Sequence, residues 1–382
     1  MKWKFYSLAF VAGMSILTAC SSDDNNDNDG NDGNGNGNEI ENGTILKGTI
    51  TSDVTLAAGN TYKLSGEYIV EEGATLHIEE GVKIIAVYDD IADYILVKQG
   101  GKINAVGTPD KPIVMTSEKE EPGAWGGIHI CGRAHTNAEG GKGSSEIGGA
   151  VYGGNDDADN SGTLQYIRLE YTGFAFDEEH EANGISFYGV GNGTIVDHCQ
   201  AYKGSDDGFE FFGGSVNVSN LVAVSCSDDS FDWTEGWNGK GTNLVAYQEA
   251  ESTLGYDCDC LMECDNNGSN NAATPVAHPV LKNLILVGNG GSKQGIRLRA
   301  GTEVEIDNAK VCGKGQPLTV ETALTENALK NGTSKLTNIT LTSELSSKEG
   351  IYTHADFIAV TSNKVDANLS YSSFEDLSLI HI

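Results

Sequence analysis

The chain has 382 residues, with 24 basic and 55 acidic side chains and a formal net charge of −31. A surface this negative repels phosphate, so we expect no nucleic-acid partner, whereas cations and neutral or basic ligands suit it. The 49 glycines and the scarcity of amphipathic helical patterns indicate a fold with many tight turns.

The N-terminus resembles the signal of a bacterial lipoprotein. Two lysines precede an apolar stretch at 5–17, which is too short to span a bilayer comfortably. Small residues then lead to Cys20 and resemble a lipobox, where cleavage leaves a lipid-modified cysteine. The sequence therefore predicts a signal peptide over 1–19 and a lipid anchor on Cys20. An ordinary cleaved signal with an unused cysteine is the alternative.

A polar segment follows the predicted anchor. Residues 21–38 are almost only Ser, Asp, Asn and Gly. Such a composition cannot bury a core, so the sequence predicts a disordered tether over 20–43. Its Asp23-Asp24 pair resembles the surface-export signal of Bacteroidetes lipoproteins. We therefore expect an outer-membrane, lipid-anchored protein that faces the cell exterior.

The region predicted as one domain, 44–376, is dominated by short strand patterns. The same pattern returns at 184–187, 208–211 and 230–233, with starts 24 and then 22 residues apart. A second strand pattern trails each copy, and only 323–329 reads as a helix. Strands that recur at this period predict a solenoid whose equivalent positions stack about 4.8 Å apart.

Aligning the repeats gives columns of equivalent residues. The apolar columns, which alternation places on the inner face, are Ile185, Phe209, Phe231 and Ile296; Phe187, Phe211, Trp233 and Leu298; Cys199, Leu221, Leu244 and Leu284; and Ala201, Ala223, Ala246 and Leu286. A polar column contains Asn220, Asn243, Asn283 and Asn308, with His198 at the same position. Stacked Asn side chains can hydrogen-bond from rung to rung. This column resembles the Asn ladder of right-handed parallel β-helices of the pectate-lyase type, so the predicted fold is all-β, a right-handed parallel β-helix.

The cysteines do not suggest a disulfide framework. Seven remain after Cys20, an odd number, and Cys199 falls in an inner column. Cys258, Cys260 and Cys264 cluster without a nearby His to complete a zinc site. For these three cysteines the sequence allows two alternatives, one local disulfide or three free thiols.

Several longer blocks together resemble one family. They are 124–130, 152–157, 159–164, 168–171, 189–191, 206–214 and 228–232. These blocks are similar to a group of Bacteroidetes surface lipoproteins with a pectin-lyase-like β-helix. The resemblance implies the fold and the surface location, and it implies no activity.

An acidic strip is the candidate site. Its predicted cation ligands are Asp206, Asp207, Asp228, Asp229, Glu210 and Asp232. The two Asp pairs precede equivalent strands. Glu263 should follow one coil later, and Arg297 should come after it. Hard oxygen ligands at this spacing suit Ca²⁺, so a calcium site is expected. Solvated turn residues and catalytic carboxylates are the alternatives.

The ligand candidates around this strip are few. Arg297 and Arg299 are the strand-borne candidates for a lyase base. Trp237 and Tyr188 are predicted to stack a sugar ring, whereas Trp233 belongs to the core. The predicted ligand-binding residues are therefore Trp237, Tyr188, Glu263 and Arg297.

The last six residues, 377–382, resemble the translation of a transposon end used in sequencing libraries, so they are interpreted as a sequencing-adapter artefact. Taken together, the sequence predicts a surface lipoprotein that binds a glycan in a calcium-dependent manner. The alternatives are a β-helix carbohydrate-active enzyme, either a polysaccharide lyase or a glycoside hydrolase, and an adhesin or structural surface protein. Binding is preferred to catalysis.

Overall fold

The computed structural model of the protein describes residues 38–89, 91–176 and 180–374. These residues belong to one compact unit, Asn36–Ile382. The predicted signal peptide 1–19, Cys20 with the tether as far as 37, and the segment 377–382 lie outside the described residues and stay predictions. In the described part of the chain, no helix is both long and apolar enough to cross a bilayer.

Short strands make up most of the regular structure. The first ten are β1 Asn38–Ile40, β2 Ile45–Ile50, β3 Val54–Leu56, β4 Thr61–Val70, β5 Thr75–Ile78, β6 Lys83–Ala86, β7 Tyr94–Val97, β8 Lys102–Val106, β9 Ile113–Ser117 and β10 Ile128–Cys131. The middle strands are β11 Gly143–Ser144, β12 Val151–Tyr152, β13 Gly162–Glu170, β14 Ile185–Tyr188, β15 Ile195–Tyr202, β16 Phe209–Phe212, β17 Asn217–Val224, β18 Phe231–Thr234 and β19 Lys240–Tyr247. The last are β20 Met262–Cys264, β21 Val280–Val287, β22 Gln294–Leu298, β23 Glu305–Cys312, β24 Gln316–Val320, β25 Lys335–Leu341, β26 Ser346–Ser347 and β27 Lys364–Val365.

Helices are short and lie outside the repeating strands. They are α1 Glu251–Leu254, α2 Ala323–Asn331 and α3 His354–Ala359, with a 3₁₀ turn at Glu139–Gly141. Helix α2 confirms the helix predicted around 323–329. Helices α1 and α3 were not predicted, because four and six residues are too few to show a helical period.

Twenty-five of the described strands pair in parallel into one continuous wall. The first face contains β7, β10, β14, β16, β18, β20, β22, β24 and β26. The longer strands bend, so that their first halves form a second face and their second halves a third. In β13, for example, the first half pairs with β8 and the second half with β9. The wall is the predicted right-handed parallel β-helix.

The inner columns predicted from the repeats are confirmed. Phe209 pairs with Phe231 and their rings stack at 5.6 Å between centroids, while Phe187 stacks on Phe211 at 5.0 Å. Trp233 is buried in the same core, as predicted. On the third face Cys199 is fully buried and is paired with Leu221, as its column required. Aromatic rings stacked along the axis fill the interior, which makes the wall rigid enough to hold outward side chains at fixed spacing.

The predicted Asn ladder is confirmed as well. Asn243 donates to Oδ1 of Asn220 at 2.8 Å, Asn283 to Asn243 at 2.9 Å, and Asn308 to Asn283 at 2.9 Å. Each of these residues has a positive φ, from 55° to 63°, and forms the bend between the second and third faces. Asn tolerates this left-handed conformation better than most residues. Asn283 and Asn308 are exposed. The ladder therefore lies on the surface, where each Asn side chain hydrogen-bonds to the next.

The wall begins earlier than the predicted domain start at residue 44. Strand β1 lies in the segment predicted as tether, and Asn38 to Ile40 pair with Val54 to Leu56. Ile40 packs against the main core, and the parallel pairing adds its strand to the edge of the wall. Towards the other end, Phe357 of α3 is fully buried in that core.

Candidate functional site

The outward side chains of the first face change from apolar to acidic to basic along the helix axis. Successive paired positions hold Leu96, His129, Ser186, Glu210, Asp232, Glu263, Arg297 and Thr319. Three acidic side chains therefore occupy three successive rungs, about 4.8 Å apart. The predicted register, in which Glu263 follows Asp232 and Arg297 follows Glu263, is confirmed.

The two Asp pairs stack at one corner, where the third face returns to the first. The backbone N–H of Asp229 donates to Oδ1 of Asp207 at 2.8 Å. The N–H of Cys260 donates to Oδ1 of Asp229 at 2.6 Å, and the N–H of Asp207 to Oδ1 of Asn183 at 3.2 Å. The predicted stacking is thus confirmed, and it is made by hydrogen bonds as well as by register.

The column and the corner together border an open cavity of about 420 Å³, which we call the acidic cleft. Its walls are Glu146, Glu181, Asp206, Asp207, Glu210, Asp228, Asp229, Asp232, Asp259, Glu263 and Arg297. Ten carboxyl groups thus face one guanidinium. All six predicted cation ligands line the cleft, together with two of the four predicted ligand-binding residues.

Three carboxyl groups of the acidic cleft were missed by the sequence analysis. Asp259 could have been found, because Asp259-Cys260 takes the place of Asp228-Asp229 on the next turn, as the Cys260 hydrogen bond shows. Glu146 accepts a hydrogen bond from the Tyr188 hydroxyl at 3.2 Å. Glu146 and Glu181 come from loops between repeats, whose paths the repeat does not define.

Burial raises the pKa of the carboxyl groups at the centre of the acidic cleft. For Asp206, burial and then the nearby Asp228 raise the pKa to about 7. Burial, followed by neighbouring carboxylates, also raises the pKa of Asp207, Glu210, Asp229 and Asp232 well above their ordinary values. Like charges this close must be neutralised by protons or by bound cations.

Four groups of side chains in the acidic cleft have ligand atoms within 4.8 Å of one another. They are Asp206, Asp207 and Asp228; Asp207, Glu210 and Asp232; Asp229, Asp232 and Glu263; and Asp229, Asp259 and Cys260. Three groups offer only carboxylate oxygens, the hard ligands that Ca²⁺ prefers. The fourth includes the Cys260 thiol, whose pKa is raised by burial, so it stays protonated and is a poor ligand.

Asp232 links two of these groups. It belongs to both the Glu210 and the Glu263 group. Its Oδ1 is buried and has no hydrogen-bond partner among the described residues. A buried oxygen without a partner costs about 1–3 kcal/mol, more if charged, and a cation would remove that cost. The carboxylate groups of the cleft therefore fit a calcium ion.

At the basic end of the acidic cleft, the arginine side chains form ion pairs with neighbouring carboxylates. Glu263 accepts from Arg297 Nη1 at 2.8 Å and lies 2.5 Å from Arg299 Nη2. Arg297 also contacts Glu321 at 3.3 Å, and Arg299 contacts Asp265 at 2.7 Å. Glu263 and Arg297, predicted to bind ligand, thus line the cleft wall while bound to each other.

Two predicted sugar-stacking residues are placed differently by the structure. Trp237 is 1% exposed and stacks on Phe211 at 4.1 Å between ring centroids. Tyr188 is also 1% exposed and stacks on Phe212 at 4.3 Å. The prediction of exposed stacking platforms is wrong for both, because Trp237 belongs to the main core and Tyr188 packs in a second apolar cluster with Ile147 and Tyr152.

The cysteines in the described part of the chain are all free and buried. Of the two alternatives open for Cys258, Cys260 and Cys264, the structure shows free thiols. Burial raises the pKa of Cys258 to about 12. These thiols therefore behave as apolar packing groups.

The chain matches the family described as a pectate-lyase like beta helix domain over residues 48–377, and it belongs to that family. No curated protein matches it. Among solved structures, the crystal structure of the Dettilon tailspike protein is similar to it, with 10% sequence identity and a TM-score of 0.26. That similarity covers 78% of this chain and 56% of the tailspike chain, so the chain spans about half the length of the tailspike protein.

Proposed function

We propose that this member of the pectate-lyase-like β-helix family binds a glycan at the acidic cleft, and that the binding depends on Ca²⁺ held by the cleft carboxylates. The observation that carries this proposal is Asp232, which joins two carboxylate groups and keeps a buried, unpartnered oxygen. The sheet register fixes the spacing between Glu210, Asp232 and Glu263, so the ion site is preorganised.

The chemistry of the acidic cleft favours recognition through the ion. Calcium takes six to eight oxygen ligands, so a group of three carboxylates leaves positions for hydroxyl or carboxylate oxygens of a sugar. Described residues that line the cleft include no aromatic ring, which excludes ring stacking as the main contact there. Membership of a pectate-lyase-like family supports a polysaccharide as the ligand class, by analogy of fold.

We place the protein on the outer membrane, facing outward, as a lipoprotein anchored at Cys20. The support is the sequence alone: a charged start, a short apolar stretch, a lipobox-like end and an early acidic pair. The resemblance to Bacteroidetes surface lipoproteins points the same way. A domain on a tether at the cell surface can reach polysaccharides too large to enter the cell.

Calorimetric titration with Ca²⁺, followed by a glycan-array screen in calcium or in EGTA, tests the proposal. We expect calcium to bind the unmodified protein and to be required for glycan retention. The variant Asp207→Asn/Asp229→Asn should lose both. The matched control Asp110→Asn/Glu139→Gln removes two exposed carboxylates elsewhere and should keep both. Absence of calcium binding, or equal glycan retention in EGTA, would refute the calcium-dependent site.

A glycoside hydrolase is the second candidate, because one observation favours it. Glu210 and Asp232 lie on adjacent rungs, and both have raised pKa values. When two such neighbours share one proton, a protonated carboxyl lies beside an ionised one, which is the arrangement for acid-assisted glycoside cleavage. A lyase is less well supported, because Arg297 and Arg299 are ion-paired and stay protonated, leaving no neutral base.

A reducing-sugar assay on the same glycans separates the candidates. Retention without release of reducing ends supports the binding protein. Release that disappears in Glu210→Gln, with folding unchanged, supports the hydrolase. Neither retention nor release would leave the adhesin or structural role and would overturn both candidates.

A further inference from the structure

A second cavity lies on the outer surface of the third face, on the other side of the corner that carries the Asp pairs. Its volume is about 370 Å³, near the lower end of the range for ligand pockets. The walls include Gln200, Tyr202, Val224 and Tyr247 from three successive strands, with Phe374 from the C-terminal segment. None of these residues lines the acidic cleft, and we call this second cavity the aromatic cavity.

Two tyrosines form its sides, because of the strand register. Tyr202 pairs with Val224, and Val224 pairs with Tyr247. The two half-buried rings therefore stand two rungs apart, about 10 Å at the backbone, with the smaller valine between them. Phe374 meets Tyr247 edge to face at 5.8 Å between centroids. The floor is closed, because Val224 is only 5% exposed and packs in an apolar cluster.

A buried polar group faces this cavity. Gln200 is 8% exposed and lines the wall. Its side-chain amide makes no hydrogen bond with any residue that the structure describes. An amide offers two donor hydrogens and an acceptor oxygen with two lone pairs. The Gln200 amide atoms are not among the buried side-chain atoms that lack a hydrogen-bond partner, so a molecule in the cavity can reach them. This amide can therefore donate to and accept from a polar guest.

The charged groups around the aromatic cavity are already compensated. Arg168 lies 2.6 Å from Glu170, and Lys203 lies 3.1 Å from Glu249. The Arg168 guanidinium also lies over the Tyr202 ring at 4.9 Å, which holds that ring in place. Each charged side chain among the described lining residues, Arg168 and Glu249, thus has an oppositely charged neighbour, so an uncharged guest suits the cavity.

We propose that the aromatic cavity binds one uncharged pyranose ring of a glycan without a metal ion. The apolar C–H face of such a ring packs against the side chains of Tyr202, Val224 and Tyr247, and its hydroxyl groups donate to and accept from the Gln200 amide. This is a second glycan subsite, and it does not depend on calcium in the acidic cleft.

Saturation-transfer difference NMR in EDTA tests this site, with cello-, manno-, galacto- and maltotetraose as four neutral probes. We expect at least one probe to bind the unmodified protein. Tyr202→Ala should weaken that binding about tenfold or more, and Gln200→Leu should weaken it as well. Tyr202→Phe keeps the ring and should stay within about twofold. Tyr88→Ala removes a ring that is 55% exposed elsewhere and is the matched control.

Two results would overturn the proposal. One is the absence of signal from all four probes. The other is a probe whose binding survives Tyr202→Ala and Gln200→Leu but is lost in Asp207→Asn/Asp229→Asn. Should Tyr202→Ala fail to fold, Val224→Phe fills the floor with a larger apolar group. Loss of probe binding in that folded variant supports the site, and unchanged binding refutes it.

Discussion

The backbone N–H of Asp229 donates a hydrogen bond of 2.8 Å to Oδ1 of Asp207, which lies 22 residues earlier on the preceding turn. Asn183 accepts the equivalent bond from the N–H of Asp207 one turn before. Since a neutral amide oxygen already fills this role at Asn183, the corner needs an acceptor and not a charge. The negative charges at 207 and 229 are therefore separable from the fold.

Replacing both residues in Asp207→Asn/Asp229→Asn should abolish the thermal response to calcium while keeping the corner intact. In the unmodified protein we expect EGTA to lower the melting temperature and calcium to raise it, because an ion that binds only the folded state stabilises it by mass action. In EGTA the variant should melt at or above the temperature of the unmodified protein, since repulsion between rungs is reduced. Scanning calorimetry in both buffers is the measurement, and a variant that still responds fully to calcium contradicts the site.

The raised carboxyl pKa values predict an unusual pH dependence in the absence of metal. The folded protein holds protons on Asp206, with a pKa of about 7, that the unfolded chain loses near pH 4. The folded state therefore binds more protons in this window, and stability should fall as pH rises from 5 to 8. Asp207 and Asp229 act in the same direction.

Melting temperatures in EGTA across pH 5–8 measure this effect. We expect saturating calcium to flatten or reverse the slope, because bound ions replace the protons. The Asp207→Asn/Asp229→Asn variant should also show a shallower slope. Stability that increases with pH in EGTA would mean that the cleft carboxylates are ionised and solvated.

Trp237→Ala should damage the fold rather than a binding site. Trp237 stacks on Phe211 and donates from Nε1 to the Val216 carbonyl at 3.2 Å. Truncating a buried aromatic residue costs about 3–5 kcal/mol, and Trp237→Phe should cost less. Urea denaturation gives the change. A variant of normal stability that loses glycan retention would restore Trp237 as a ligand contact.

Asn243→Ala should destabilise the bend between the second and third faces. Asn243 has φ of 58°, donates to Asn220 and accepts from Asn283. Alanine loses both hydrogen bonds and is strained in this conformation by about 1–2 kcal/mol. Asn243→Gly loses the same bonds without the strain, so it should be the milder change in urea denaturation. Equal effects of the two variants would assign the whole cost to the ladder.

Cys20→Ser should release the protein from the membrane fraction, because stable anchoring needs acyl chains that serine does not receive in this pathway. Immunoblotting of soluble and outer-membrane fractions is the measurement. Protease treatment of intact cells tests the orientation separately, since only an outward domain is cut. A serine variant that stays with the membrane would place the anchor elsewhere.

The fold was predictable because the β-helix converts sequence columns into physical ladders. Counting from Phe209 to Phe231 was enough to place Glu210 beside Asp232, since side chains alternate strictly along a strand. The same counting failed for Trp237, which follows a strand and enters a loop. Its burial depends on the path of that loop, which no period encodes. Glu146 was missed for the same reason.

The third face shows a related limit. Gln200, Val222 and Val245 share an outward column, and alternation alone predicts solvent exposure for all three. Val222 and Val245 are instead buried in an apolar cluster against which Leu369 from the C-terminal segment packs. Leu369 lies more than a hundred residues from both valines in the sequence. A repeat of 22 to 24 residues cannot predict such a contact.

The outward column from Ser186 to Arg297 changes from a hydroxyl to three carboxylates and then to a guanidinium, while the inward neighbours stay apolar. Duplication of a single turn, such as the 22 residues 210–231, would therefore leave the core pattern intact. It would lengthen the acidic cleft by one step of about 4.8 Å and add one more layer of carboxylates. The number of ions and the length of ligand that such a surface can hold would therefore increase in steps, one step for each added turn.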